Sequence, residues 1–541
     1  KKQTISTNKE VVLTKETNII IEGKERVLKE GLALQVLHES NNSYACSFEG
    51  SRGDTRNITV LKDYVKAISS SIWYQVKTSD NKKGWVFEDF VDDEEEKVVY
   101  VVHAVDTEGP LHESFTSHFD RVNETFGVDI KPSHENLEKL RNKKIDLAGH
   151  EDKACLMLDS LRIDTNSSWD QIDNMLDIIT SENYRNEVCD SYGNGWIYNW
   201  FCMDHVGITG NNPRRRDMGY SNIHDHYHEY FNMKNDSNDL IQWHYHPLSL
   251  TNDAHRAGST YLNSGHIYNI ISRKIIDRSW FPSSFRAGHH AERPDANFFL
   301  EQWIPFDFSS DAGLITRANR SSARYGDWRG APNSWIPYHP DHDNYKKPGA
   351  CRRYIAKCLP INERAYTITE EDVALAFDEA GQHGASILSF TNHDFRNMAP
   401  DIEHVRNLIH ECAKIHTNVK FRYSTATDAM RGVLKITESQ EIKFSAELRL
   451  YKTHTRLIVK SENKVFGPQP YLAIKLKDGS YHWQNFDFEE KNVWSYSFDK
   501  DNVLIEQVEE IGVAANNVSG LTEVLNITPA TGLIVRTILN K

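Results

Sequence analysis

The sequence predicts a multidomain α/β protein in which a parallel (β/α) barrel is flanked by two all-β regions. Three observations carry this expectation. From Val98 to about Arg431, short apolar runs of β-type residues alternate with helix-like stretches, the pattern of βαβ units. On either side of that span the periodicity changes to two, broken by Gly, Asn and Asp turns. Several of the central runs end in carboxylate, imidazole or guanidinium side chains, and barrel strands deliver their chemistry at their ends. At 541 residues the chain is too long for one core.

Residues 1 to 97 read as a β domain with an acidic linker. Alternating stretches such as Ala33-Leu34-Gln35-Val36-Leu37 and Trp73-Tyr74-Gln75-Val76-Lys77 are separated by turn residues. The segment Trp73 to Val91 combines a Trp-Tyr-x-Val strand, a Ser-Asp-Asn turn and a Gly-Trp-Val strand. It resembles the closing hairpin of a bacterial SH3-like barrel. Trp73, Tyr74 and Trp85 suit a small-barrel core, and stacking on sugars or peptides is the other use of such rings. The run Asp92-Asp93-Glu94-Glu95-Glu96 reads as a solvated linker.

The clearest unit of the central region, 98 to 431, lies near its end. Thr369-x-x-Asp372 makes a capping box, and Val373, Ala376, Phe377 and Ala380 give an apolar helical face that stops at Gly381. A buried strand Ile387-Leu388-Ser389-Phe390 follows, then the loop Thr391-Asn392-His393-Asp394. A helix with Ile402, Val405, Ile409 and Cys412 on one side completes the unit. Residues 110 to 235 exceed what one βα unit needs and read as a large helical and loop insertion containing Trp196-Ile197-Tyr198-Asn199-Trp200-Phe201. From 432 to 541, period-2 runs at Lys443–Leu450, Thr455–Lys460, Tyr471–Lys475, Val493–Phe498 and Gly532–Ile538 predict an antiparallel β-sandwich.

Composition excludes some functions. A net charge of −14 argues against nucleic acid or an anionic membrane as the main partner. There is no apolar run of about 18 residues, so no membrane-spanning helix is expected. The chain opens at Lys1 with no Met and no signal-like stretch, compatible with a processed leader or a trimmed end. Its seven cysteines contain no C-x-x-C pair, so a zinc knuckle is not expected. Buried free thiols are expected, with a Cys351–Cys358 disulfide as the alternative in an oxidising compartment.

Four segments share one design. One ends in His103, Asp106 and Glu108, the next in His244 and His246, the third in Arg286 and the fourth in His393-Asp394. Residues i and i+2 of an extended chain point to one face, so His244 and His246 can reach one ion, and Asp106 and Glu108 can share a pocket. Two imidazoles and one carboxylate leave a catalytic metal an open position. The spare carboxylate can act as a base, an Arg can keep it ionised, and a His opposite can protonate a leaving group. With 25 histidines, His224-x-His226-x-His228 and His289-His290 are rival clusters.

These motifs, in this order over about Val98 to Arg431, resemble the NodB-type polysaccharide deacetylases (carbohydrate esterase family 4-like). The matching segments are Val105-Asp106-Thr107-Glu108-Gly109, Ile241-Gln242-Trp243-His244-Tyr245-His246-Pro247, Phe285-Arg286-Ala287-Gly288 with the trailing Ile304 to Ser310, and Leu388 to Asp394. The resemblance implies a deformed (β/α) barrel and a metal-dependent hydrolase removing acetyl groups from N-acetylated sugars of a polysaccharide or surface glycan. It implies Asp106 as general base, Arg286 as its orienter and His393 as general acid. Glu108, His244 and His246 would be metal ligands, and Trp243, Tyr245 and Asp394 substrate-binding residues. Zinc is the expected ion, with cobalt, nickel or iron accepted by the same donors. The family usually has closely spaced aspartates where this chain has Asp-x-Glu, and it spaces its two histidines four apart. Position 248 here is Leu, so His246 would serve from the i+2 position. The alternative expectation is a non-catalytic carbohydrate-binding or cell-surface protein on a degenerate barrel of this type. A related hydrolase acting on a non-sugar amide is a third. The SH3-like segment favours an exported, envelope-associated enzyme with cell-wall contact through the N-terminal domain.

Overall fold

The computed structural model describes the strands of residues 1–95, and residues 96–540 apart from 205–220, 235–237, 248–259, 263–265, 314–325, 362–366 and 438–439. The chain divides into two compact units, Lys1–Glu95 and Glu96–Lys541. In the first, β1 (Glu10–Leu13), β4 (Ala33–Glu39), β5 (Ser43–Glu49), β6 (Thr55–Leu61) and β7 (Val65–Ile68) form an antiparallel sheet in the order β6-β5-β4-β1-β7. Two hairpins accompany it, β2 (Thr17–Ile21) with β3 (Lys24–Leu28), and β8 (Trp73–Lys77) with β9 (Lys83–Phe87). The β8–β9 pair is the hairpin expected after Trp73, with Trp73 opposite Phe87. The side chains of Trp73, Tyr74 and Trp85, and the run Asp92 to Glu95, lie outside the described residues.

The second unit is built on a parallel sheet. Its strands are β10 (Val98–Thr107), β11 (Tyr198–Asp204), β12 (Leu240–Tyr245), β13 (Ser284–Ala287), β14 (Phe306–Ser310), β15 (Tyr354–Lys357), β16 (Leu359–Pro360), β17 (Ala385–His393) and β18 (Lys420–Tyr423). They run in the order β15-β14-β13-β12-β11-β10-β17-β16, with β18 also paired to β10. Only Cys358 separates β15 from β16, so one stretch of chain pairs with β14 on one flank and β17 on the other. The result is a nearly closed parallel barrel with helices around it. β10 pairs with β11, β17 and β18, and Val99, Val102 and Val105 are wholly buried, which is why it reads as an unbroken apolar run. The capping box at Thr369 forms as expected, the Thr369 hydroxyl accepting from the Asp372 N–H and the Asp372 carboxylate accepting from the Thr369 N–H. Its helix runs Glu370–His383, past Gly381, and ends at Gly384.

The expected insertion is corrected. Residues 198–204 are not part of it: they form β11, paired with β10 and β12. The helical excursion spans only 108–197, and the helix Asn222–Lys234, carrying the rival histidines, is the ordinary crossover from β11 to β12.

Two antiparallel sheets follow. β19 (Phe444–Leu450), β20 (Thr455–Ser461), β24 (Val493–Phe498) and β23 (Asp487–Glu490) make one. β22 (Tyr481–Gln484), β21 (Tyr471–Leu476), β25 (Val508–Asn516), β26 (Thr522–Thr528) and β27 (Leu533–Leu539) make the other. Their inner faces share one core, Leu457 and Trp494 meeting Ile474 and Val513. The second sheet's outer face packs on the barrel helix His266–Arg278, where Tyr471 and Ala514 join Ile267 and Ile271. Contact is close enough that a Cβ on Gly512 would lie 2.4 Å from the Ile275 side chain. This region and the barrel belong to the same compact unit, Glu96–Lys541. No helix among the described residues is long and apolar enough to cross a membrane.

Candidate metal centre

Strand register brings the expected residues to one rim. Asp106 at the end of β10 pairs with His393 at the end of β17, and His244 on β12 pairs with Arg286 on β13. Glu108 and His246 lie just past their strands. The ligand atoms of Glu108, His244 and His246 all lie within 4.8 Å of one another, and all three residues are buried.

The geometry fits a cation. Donors bonded at about 2.1 Å and tetrahedrally disposed stand roughly 3.4 Å apart, and about 4.2 Å is the limit for any shared ion. The two Nε2 atoms of His244 and His246 stand 2.9 Å apart. Glu108 Oε1 is 3.4 Å from His246 Nε2 and 3.8 Å from His244 Nε2. His244 Nδ1 lies 3.0 Å from the Arg286 carbonyl oxygen, which can only accept. That contact puts the His244 proton on Nδ1 and the lone pair on Nε2, facing Glu108 and His246. Glycine at 288 is required by the second imidazole, because a Cβ there would lie 2.4 Å from the His246 ring.

Beside this trio sits a buried ion pair. Arg286 grips Asp106 with two parallel bonds, Nε to Oδ1 at 2.5 Å and Nη2 to Oδ2 at 2.9 Å, and donates its third arm to the Phe308 carbonyl. Burial alone would raise the Asp106 pKa. The Arg286 charge and hydrogen bonds, with the His244 and His393 imidazoles, outweigh that and hold the carboxyl well below the usual range. His393 Nε2 stands 3.7 Å from Glu108 Oε1, on the more open side, with its side chain 21% exposed. Asp106, Glu108, His244, His246, Arg286 and His393 are thus brought together.

Three predicted substrate contacts are placed elsewhere. Trp243 is buried in the core with its indole N–H on Asp204, and Tyr245 is buried against Tyr261. Neither offers a face to substrate. Asp394 is also buried, and its carboxylate accepts from the backbone N–H of Glu108 and of Gly109 and from the Tyr227 hydroxyl. It positions the Glu108 loop instead. Burial pushes the Asp394 carboxyl up to about 6, against the lowering effect of those donors, and the nearby Glu108 charge adds to the rise. His103 is structural: its ring spans Asn392 and Trp196 inside the barrel.

Of the rival histidines, His226 bonds Asp173 and stacks on Trp169, while His224 is buried beside Asp225. His289 packs its ring 5.0 Å from His246 and, like His290, adopts a left-handed backbone, an unfavourable conformation for a non-glycine residue at the lip of the site. Sequence reasoning treated this pair only as a competitor; its placement next to Arg286-Ala287-Gly288 was the available signal. It also missed Asp204 at the end of β11, which turns away from the site to meet Lys274 and Trp243. Cys351 and Cys358 are free thiols, so the disulfide alternative is not formed.

No family model, no curated protein and no solved structure matches this chain.

Proposed function

We propose that this protein is a metal-dependent hydrolase that removes acetyl groups from N-acetylated sugars of a polysaccharide or surface glycan. One observation carries the hydrolytic part: a Glu-His-His trio of cation-bridging dimensions stands beside a separately held, ionised carboxylate. The sugar substrate rests on the motif resemblance to the NodB-type deacetylases. Glu108, His244 and His246 would hold the ion, zinc being the first choice for two imidazoles and a carboxylate. The ion would supply Lewis-acid polarisation of an amide carbonyl and acidify water.

The chain's own residues do the rest. Arg286 keeps Asp106 ionised and aimed, and Asp106 takes the proton of the attacking water. His393, across the rim, gives a proton to the departing amine nitrogen. The His244 tautomer, set by the Arg286 carbonyl, links the ligand to the strand that carries the base's partner. Acetate and a free amino sugar are the products.

The test is acetate release from N-acetylated oligosaccharides by zinc-loaded protein. Asp106→Asn is expected to lower the rate by about 10²–10⁴-fold with zinc content unchanged. Full activity in that variant ends the assignment of the base, and inactivity of the zinc-loaded wild type on every N-acetylated glycan ends the substrate reading.

A further inference from the structure

A second convergence of ligand-type side chains lies away from this centre. The helix Pro294–Trp303 carries Asn297 and Glu301 one turn apart, on one face. That face receives the loop leading into β15. Asn297 Nδ2 donates to the carbonyls of Asp341 and His342, each at 2.9 Å, and fixes the loop against the helix. So anchored, the loop presents His342 and Cys351 to Glu301.

His342 Nδ1 lies 3.2 Å from Glu301 Oε1 and 3.3 Å from Cys351 Sγ. The ligand atoms of the three residues all fall within 4.8 Å of one another. A zinc ion bonded at about 2.3 Å to sulfur and about 2.1 Å to nitrogen and oxygen sets its donors roughly 3.4–3.6 Å apart. The spacings from His342 Nδ1 to the Glu301 oxygen and the Cys351 sulfur, 3.2 and 3.3 Å, sit just inside that. Cys351 Sγ also lies 3.4 Å from Asn297 Nδ2 and 3.8 Å from Asn297 Oδ1. The His342 ring nitrogen faces both Glu301 and Cys351, and it carries at most one proton. Glu301 Oε2 is buried and has no hydrogen-bond partner among the described residues, a costly state for a carboxylate oxygen in a residue only 8% exposed. Cys351 is buried and unpaired with any other cysteine.

We propose that Glu301, His342 and Cys351 form a second divalent-metal site, selective for zinc-class ions, in which the ion ties the 339–351 loop to the helix Pro294–Trp303. Thiolate, imidazole and carboxylate together suit zinc, and not magnesium or calcium, which take oxygen donors. Arg353, two residues beyond Cys351, reaches Asp307 and Glu292 behind Arg286, so the ion would brace the support of the main centre.

The two centres separate by chemistry, because only this one contains sulfur. The test uses the full chain with His244→Ala and His246→Ala, which empties the Glu108 centre. Titration with Co²⁺ is expected to raise a near-ultraviolet thiolate-to-cobalt charge-transfer band saturating at one equivalent, which Zn²⁺ then abolishes. Adding Cys351→Ser removes the band. If that variant folds poorly, His342→Ala, at an exposed position, removes it while keeping the far-ultraviolet circular dichroism of its parent. Zinc should raise the melting temperature of the parent and not of the His342→Ala variant. Absence of a band at saturating Co²⁺, or a band that survives Cys351→Ser, overturns the proposal. Neither result depends on whether the Glu108 centre is catalytic.

Discussion

Two buried arginines, Arg286 and Arg353, behave differently. Arg286 faces a single carboxylate, Asp106, and that carboxyl is held well below its ordinary pKa. Arg353 faces two, taking Glu292 through a fork and Asp307 through one arm, all three wholly or almost wholly buried. There burial, with the Asp307 charge and against the pull of Arg353, drives Glu292 well above the carboxylate range. The carboxyls are buried in both places. Charge stoichiometry decides which carboxyl keeps its proton. A balanced pair yields an anion fit to accept a proton, and a guanidinium facing two carboxylates leaves one of them with a raised pKa.

Breaking the balanced pair should cost most. Arg286→Met leaves Asp106 buried and uncompensated, and is expected to destabilise the protein by roughly 3–5 kcal/mol and to abolish hydrolysis. Urea denaturation and acetate release read the two effects, and a variant of wild-type stability would show that Asp106 is not charged in the wild type.

A third buried polar group extends the comparison. Burial pushes the His103 pKa down to about 4, against the help of Asn392, and no carboxylate compensates it. In the unfolded chain it titrates near 6.5. Between those values the unfolded state binds more protons, so stability is full above about pH 6.5 and is lost as pH falls toward 4. The expected loss between pH 7.5 and 4.5 is about 2–3 kcal/mol for this one group. His103→Asn should flatten that part of the profile, and an unchanged slope would assign the acid sensitivity elsewhere.

Smaller effects probe the supports. Asp394→Ala frees the Glu108 and Gly109 N–H groups, and zinc affinity measured by competition with a chelator should fall about 10–100-fold. Glu292→Gln should change stability by less than about 1 kcal/mol, because burial and the Asp307 charge raise the Glu292 pKa and favour its protonated form. A loss near that of Arg286→Met would mean that Glu292 is ionised and that the contrast between the two arginines does not exist.

The rim was legible in the sequence because its residues sit at the ends of apolar runs, and period-2 geometry puts Asp106 with Glu108 and His244 with His246. What braces the rim was not. Arg353 meets Glu292 and Asp307 across 61 and 46 residues, a pairing that no local pattern records. β11 was missed because it is buried on both faces, so Tyr198 to Asp204 shows no alternation and its aromatic and polar residues resemble a loop. β25 was missed for a related reason, since the helix His266–Arg278 covers the face that would otherwise be polar. The family resemblance implied Asp394 as a substrate contact. In fact i and i+1 point to opposite sides of the chain, and only His393 faces the rim.

The central claim is that one cation is shared by Glu108, His244 and His246. Anomalous diffraction from crystals soaked in zinc tests it directly. The account predicts a peak about 2.0–2.2 Å from a Glu108 carboxylate oxygen and from both Nε2 atoms, with Asp106 still gripped by Arg286. A zinc-saturated crystal with no peak among these three side chains, or with one that Glu108 does not touch, would contradict it.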